Sequence, residues 1–162
     1  MSYPGGRIRQ AIDLYPCDLL FIHRDAERET LADRHKEIMT AWRLIEFAYA
    51  NHRSISVVPI RMTEAWLLFS EHAIRTAAGN PSGKQKLELP ALRTIEALPN
   101  PKRELQRLLR EASGLTERRL KNFKVSRAVQ LVADNIEDFS PLRKLSAFIV
   151  FEEYIRTLVI TP

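Results

Sequence analysis

Cysteine is almost absent: Cys17 is the only one in 162 residues. A lone cysteine excludes a disulfide framework within the chain and a thiolate zinc site, and it fits a reducing compartment. Long apolar runs are missing as well. None approaches the roughly 20 residues of a membrane span, so no membrane partner is expected. The N-terminus, Met-Ser-Tyr-Pro-Gly-Gly-Arg, has no signal-peptide core, which points to a cytoplasmic protein. Several signature loops are also lacking. Gly79-Asn-Pro-Ser-Gly-Lys84 is one residue short of a phosphate-binding P-loop and has no Ser or Thr after the lysine. Proline bars Asn80-Pro-Ser as a glycosylation site. No Gly-x-Ser-x-Gly elbow supports a serine triad. His23-Arg24-Asp25 opens like a kinase catalytic loop, but Thr30 stands where that loop needs asparagine, and no glycine-rich loop or Asp-Phe-Gly accompanies it.

What is present is ordinary in bulk and uneven in charge. Hydrophobic residues make up 45% and charged residues 28%, as in a soluble globular domain long enough to bury a core. The formal net charge is +5, which permits a polyanionic partner. Residues 101–127 hold nine Lys/Arg against three Glu, and the rest of the chain holds 16 against 17, so the excess is local.

The apolar pattern alternates strand and helix at first and then becomes helical. Arg7–Tyr15 predicts a short helix with Ile8, Ala11, Ile12 and Tyr15 on one face. A strand at about 17–23 contains the uniformly apolar Leu19–Ile22, which suits burial on both faces. Leu31, His35, Ile38, Trp42, Ile45 and Tyr49 alternate by four and three, predicting one long helix over about 28–52. Ser54–Arg61 reads as a second strand, with Pro59 marking a sheet edge or bulge. Strand, helix, strand is a βαβ unit with a parallel pair. A helix from Thr63 to about Ala78 follows, then a loop over 79–100 with a helical turn near Leu92–Leu98. Asn100-Pro101 caps a helix with Leu105, Leu108, Leu109 and Ala112 on its buried face, ended by Gly114. Thr116–Asn122 and Val125–Ile136 predict shorter helices, and Ser140-Pro141 predicts the start of the last one. The expected organisation is an α/β core over 1–78 and a helical extension over 79–162 packed on it.

Chemistry concentrates where the strands end. Asp25 and Glu27 follow the first strand two residues apart, and in extended backbone such residues point the same way. Two hard oxygen donors at the carboxyl end of a parallel strand suit Mg²⁺ or Mn²⁺. The alternative is that these acids cap the next helix and complement its dipole. Glu64 follows the second strand as Asp25 and Glu27 follow the first, so it is expected to approach them as a further ligand or base, unless it too is a helix-terminal acid. Arg24 and Arg61 would flank the acids and hold phosphate. His23 is the nearest proton carrier. His35 falls on the apolar stripe, which favours a core histidine over a ligand, and Trp66 reads as core packing. Arg118, Arg119, Lys121, Lys124 and Arg127 would grip a nucleic-acid backbone, with Phe123 stacking on a base or buried beneath a solvated helix face.

The order of apolar strand, Asp25-Ala-Glu27, long helix, second strand and Thr63-Glu-Ala-Trp-Leu-Leu68 resembles Toprim-like (topoisomerase–primase) domains over roughly residues 8–70. It is closest to small Toprim-like proteins encoded near ATPases in bacterial defence and mobile-element cassettes, whose tails resemble Pro99-Asn-Pro-Lys and Asp138-Phe-Ser-Pro-Leu-Arg143. The resemblance implies a parallel-sheet core with Mg²⁺ on the acid pair and a further glutamate on an earlier strand. No Glu precedes Glu27, so that glutamate has no counterpart and the core is expected to be reduced. Two functions are then expected. One is a metal-dependent, nuclease-like module acting on the phosphodiesters of DNA or RNA, using Asp25, Glu27, Glu64 and His23. The other is a non-catalytic subunit that docks to an ATPase partner or to a second copy and binds nucleic acid by charge alone.

Overall fold

The strand pair around which the first elements assemble is parallel, with Leu19 opposite Arg53 and His23 opposite Val57. The computed structural model describes residues 4–160, so Met1–Tyr3 of the N-terminal stretch read for a signal peptide lie outside the described residues. In chain order the elements are α1 (Pro4–Leu14), β1 (Leu19–His23), α2 (Leu31–Arg43), β2 (Arg53–Val57), α3 (Glu71–Ala77), α4 (Pro101–Ala112), α5 (Glu117–Leu120), α6 (Val125–Asp134) and α7 (Ser146–Ile160). Single 3-10 turns lie at Glu46–Tyr49, Thr63–Leu67, Leu92–Ala97 and Ser140–Lys144. The fold is mixed α/β, 58% helical, with one two-stranded sheet. The chain divides into two compact units. One contains the residues up to Ile60 and those from Ser146 onward; the other is Arg61–Leu145.

In the first unit, α1 lays Ile8 and Ile12 against Ala41 and Trp42 of α2, with Leu20, Ile22, Ile45 and Tyr49 around them. A second cluster joins Ala26, Ile38 and Val58. The expected 28–52 helix is shorter at both ends. It starts at Leu31, where the Thr30 hydroxyl accepts the Asp33 N–H at 3.1 Å. It cannot start earlier because the segment after β1 stays bonded to β2 and Glu27 has φ +55°. It ends at Arg43, yet Ile45 and Tyr49 keep to the same stripe through the 3-10 turn, and the Tyr49 hydroxyl donates to Asp13 of α1 at 2.5 Å. On the sheet's other side α7 packs on β2, and Phe21 meets Phe151 of α7 edge-on at 6.3 Å.

The burial expected for β1 is not found. Its residues alternate between exposed and half-buried, with Phe21 51% exposed. A parallel strand is buried on both faces only when flanked and covered, and here the sheet stops at two strands.

The second unit is built on α4, whose Leu105, Leu108, Leu109 and Ala112 are fully buried. The Asn100 side chain accepts the Arg103 N–H at 2.9 Å, Pro101 occupies the first turn, and Gly114 at φ +62° follows the end, all as the sequence predicts. α3, α4 and α6 pack on one another. The expected 63–78 helix is two pieces, because Ser70 caps a fresh start by accepting the Ala73 N–H at 3.2 Å. Ser140-Pro141 opens only a 3-10 turn. Leu145 is extended and buried, and the last helix begins after it at Ser146. No described helix is long and apolar enough to cross a membrane.

Candidate functional site

Pairing with β2 continues past the end of β1. The Arg24 N–H donates to the Val57 carbonyl at 3.0 Å and the Ala26 N–H to the Pro59 carbonyl at 2.9 Å. This keeps residues 23–26 alongside the second strand and drives the small Ala26 side chain inward, where it is 1% exposed. His23 and Asp25 are thereby brought together, with the His23 Nε2 3.2 Å from an Asp25 carboxylate oxygen. Both side chains are only partly covered.

The extended alternation ends there. Glu27 takes a left-handed backbone at φ +55°, so the argument that puts its side chain beside that of Asp25 loses its geometric basis. Asp25 has His23 beside it. Arg24 turns toward α2, where its Nη2 lies 3.5 Å from Glu37. Arg61 and Glu64 belong to the second unit, Arg61 at φ +66° and Glu64 half-buried in the Thr63–Leu67 turn. Trp66 is buried, as a core residue should be.

Among the described residues no three His, Cys, Asp or Glu side chains gather as a metal-holding group. Mg²⁺ often uses one or two carboxylates and takes its remaining ligands from water and substrate phosphate. His35 sits on the apolar stripe of α2. Its ring lies 5.2 Å from that of Tyr154 on α7, its Nδ1 is buried without a hydrogen-bond partner, and burial pulls its pKa below the usual histidine value.

The basic segment has a different character. Arg118, Arg119, Lys121, Lys124 and Arg127 are all exposed along α5, the following turn and the first turns of α6. None of the five makes an ion pair among the described residues. Several arginines elsewhere are matched with acids: Arg34 with Glu37 at 2.6 Å, Arg75 with Glu71 at 2.6 Å, and Arg107 with both Glu104 and Glu111. Phe123 is half-buried beneath this run, and Ala128 and Val132 anchor α6 in the core.

Arg7, Arg34 and Glu37 carry no site signal in the sequence. Only the three-residue spacing of Arg34 and Glu37 on one helix marks that pair, and nothing local brings Arg7 to the end of β1. No protein-family model matches the chain, and no curated protein or solved structure matches it.

Proposed function

We propose that this protein is a non-catalytic nucleic-acid-binding subunit that holds the phosphate backbone through Arg118, Arg119, Lys121, Lys124 and Arg127. The observation that carries this reading is that five exposed cations within ten residues lack acidic partners, in a chain that pairs many of its other arginines. Cations left unpaired in this way displace counterions from a polyanion when it binds, which is the main source of sequence-independent affinity for DNA or RNA. Docking to a partner, an ATPase or a second copy, is supported by the two-stranded sheet, whose outer edges have no strand beside them among the described residues.

Fluorescence anisotropy with a labelled duplex tests the binding. Affinity should fall steeply from 50 to 200 mM salt, with a log–log slope of about −4 to −5 if all five cations meet phosphate. Replacing Arg118, Arg119 and Lys121 by Gln should reduce that slope by about 2.7. A flat salt response, or one the triple variant leaves unchanged, removes the reading.

A second reading keeps the reduced Toprim-like core and its chemistry. It is supported by the parallel pair and by Asp25, which stands beside His23 just past the carboxyl end of β1. Asp25 and Glu27 would hold a Mg²⁺ or Mn²⁺ ion together with substrate phosphate, and the ion would supply charge neutralisation and an activated water. His23 would accept a proton and Arg24 would bind phosphate. Calorimetric Mn²⁺ titration in the presence of an oligonucleotide tests it. Binding that Asp25→Ala/Glu27→Ala abolishes supports catalysis; its absence in the wild type leaves the acids as helix-terminal groups.

A further inference from the structure

The first unit contains a cleft of about 410 Å³ that shares His23 and Arg24 with the surroundings of Asp25 and includes no residue of the basic segment. Its floor is aliphatic: Ile8 from α1, Ile22 from β1, and Ile38 and Ala41 from α2. Its rim is polar, formed by Arg7 at one side, His23 and Arg24 at the end of β1, and Glu37 on α2. The volume falls within the roughly 300–1,000 Å³ of small-molecule sites, which pair an apolar lining with a few placed polar groups.

The arrangement of charge around Glu37 decides what the cleft can accept. Glu37 has two arginine partners. Arg34 holds one carboxylate oxygen at 2.6 Å and is itself only 14% exposed, whereas Arg24 approaches the other at 3.5 Å with about half its side chain in solvent. The longer, wetter pair is the weaker one. An incoming anion can therefore take Arg24 while Arg34 keeps Glu37 compensated, so no carboxylate is stranded. With Arg34 compensating Glu37, Arg24 is the rim guanidinium whose pair is readily exchanged, and such a group takes an oxyanion through two parallel hydrogen bonds; Arg7 also lines the cleft.

We propose that this cleft binds a small organic oxyanion, a phosphate monoester or carboxylate joined to an apolar body. The body lies on Ile8, Ile22 and Ile38, and the head meets Arg24 and Arg7. Bare inorganic anions bind more weakly than such a ligand, because they gain nothing from covering the aliphatic surface.

Calorimetry with phenyl phosphate, benzoate and inorganic phosphate, on wild type and on Arg24→Gln and Arg7→Gln/Arg24→Gln, tests this. At least one aryl anion should bind, and which one does separates phosphate from carboxylate recognition. Inorganic phosphate should bind about tenfold more weakly or not at all, and Arg24→Gln should weaken the aryl anion about tenfold. Methyl NMR signals of Ile8, Ile22 and Ile38 should shift on binding in the wild type, a readout that stands even if the double variant does not fold. No binding of either aryl anion up to about 10 mM overturns the proposal. So do equal affinities for phenyl phosphate and inorganic phosphate, full affinity in a folded double variant, or methyl shifts confined to other residues.

Discussion

His35 shows how one residue's surroundings set a pH response. Its ring lies between α2 and Tyr154, and burial lowers its pKa because the charged form loses water without gaining a partner. A histidine depressed in the folded state binds more protons when unfolded. Stability is therefore full above about pH 6.5, the unfolded value, and falls as the pH drops toward the folded pKa. The urea midpoint of the wild type should decrease from pH 7.5 to pH 5.5, and His35→Phe should flatten that part of the dependence. At Gly114 the requirement is conformational. The backbone sits at φ +62°, and an added Cβ would stand 3.1 Å from the Asn80 amide nitrogen. Gly114→Ala should cost about 1 kcal/mol or more in chemical unfolding.

At the scale of elements, α4 is where local code and tertiary packing agree. Asn100 caps it, Pro101 opens it, and its leucines are fully buried. Its C-terminal carbonyls are held by the loop that precedes the helix in the chain: the Asn80 amide donates to Ala112 O at 2.9 Å and the Gln85 amide to Glu111 O at 2.7 Å. Asn100→Ala should cost about 1 kcal/mol and Leu108→Ala about 2–5 kcal/mol, both read from denaturant unfolding of the full chain. The strands present the opposite case. Leu19–Ile22 is apolar enough to predict a doubly buried strand, yet the structure half-exposes it. Hydrophobicity reports a tendency to be covered, whereas coverage depends on which neighbours the rest of the chain supplies.

For the whole molecule, the division into two units has a testable consequence. Arg61–Leu145 is continuous and owns its core, built from Leu68, Ile74, Ile95, Leu105, Leu108, Leu109, Val132 and Leu142. Expressed alone, residues 61–145 should unfold cooperatively on heating and keep the salt-dependent nucleic-acid binding, because all five unpaired cations lie within them. Non-cooperative melting would show that the unit needs the rest of the chain. The first unit is discontinuous: α7 returns to β2 after the second unit is complete, with the Arg53 guanidinium donating to the Leu158 carbonyl at 2.9 Å. No periodicity in Ser146–Ile160 announces that return, since an amphipathic helix shows that it has a buried face and not which surface it will meet.

The sequence alone determined what short-range physics governs. Helix α4 with its caps, the extended character of the two strand segments, the stripe of α2 and the locality of the basic charge are all readable from residue type and spacing, because each depends on neighbours within a few positions. Tertiary structure decided the rest. It set Asp25 against His23 and turned Glu27 into a left-handed backbone, through hydrogen bonds to β2 that lie more than thirty residues away. It assigned Glu64 and Arg61 to the second unit, and it lined one cleft with Arg7, the end of β1 and Glu37. Those placements depend on the packing of distant segments, where the free energy of a contact is settled by shape and burial together.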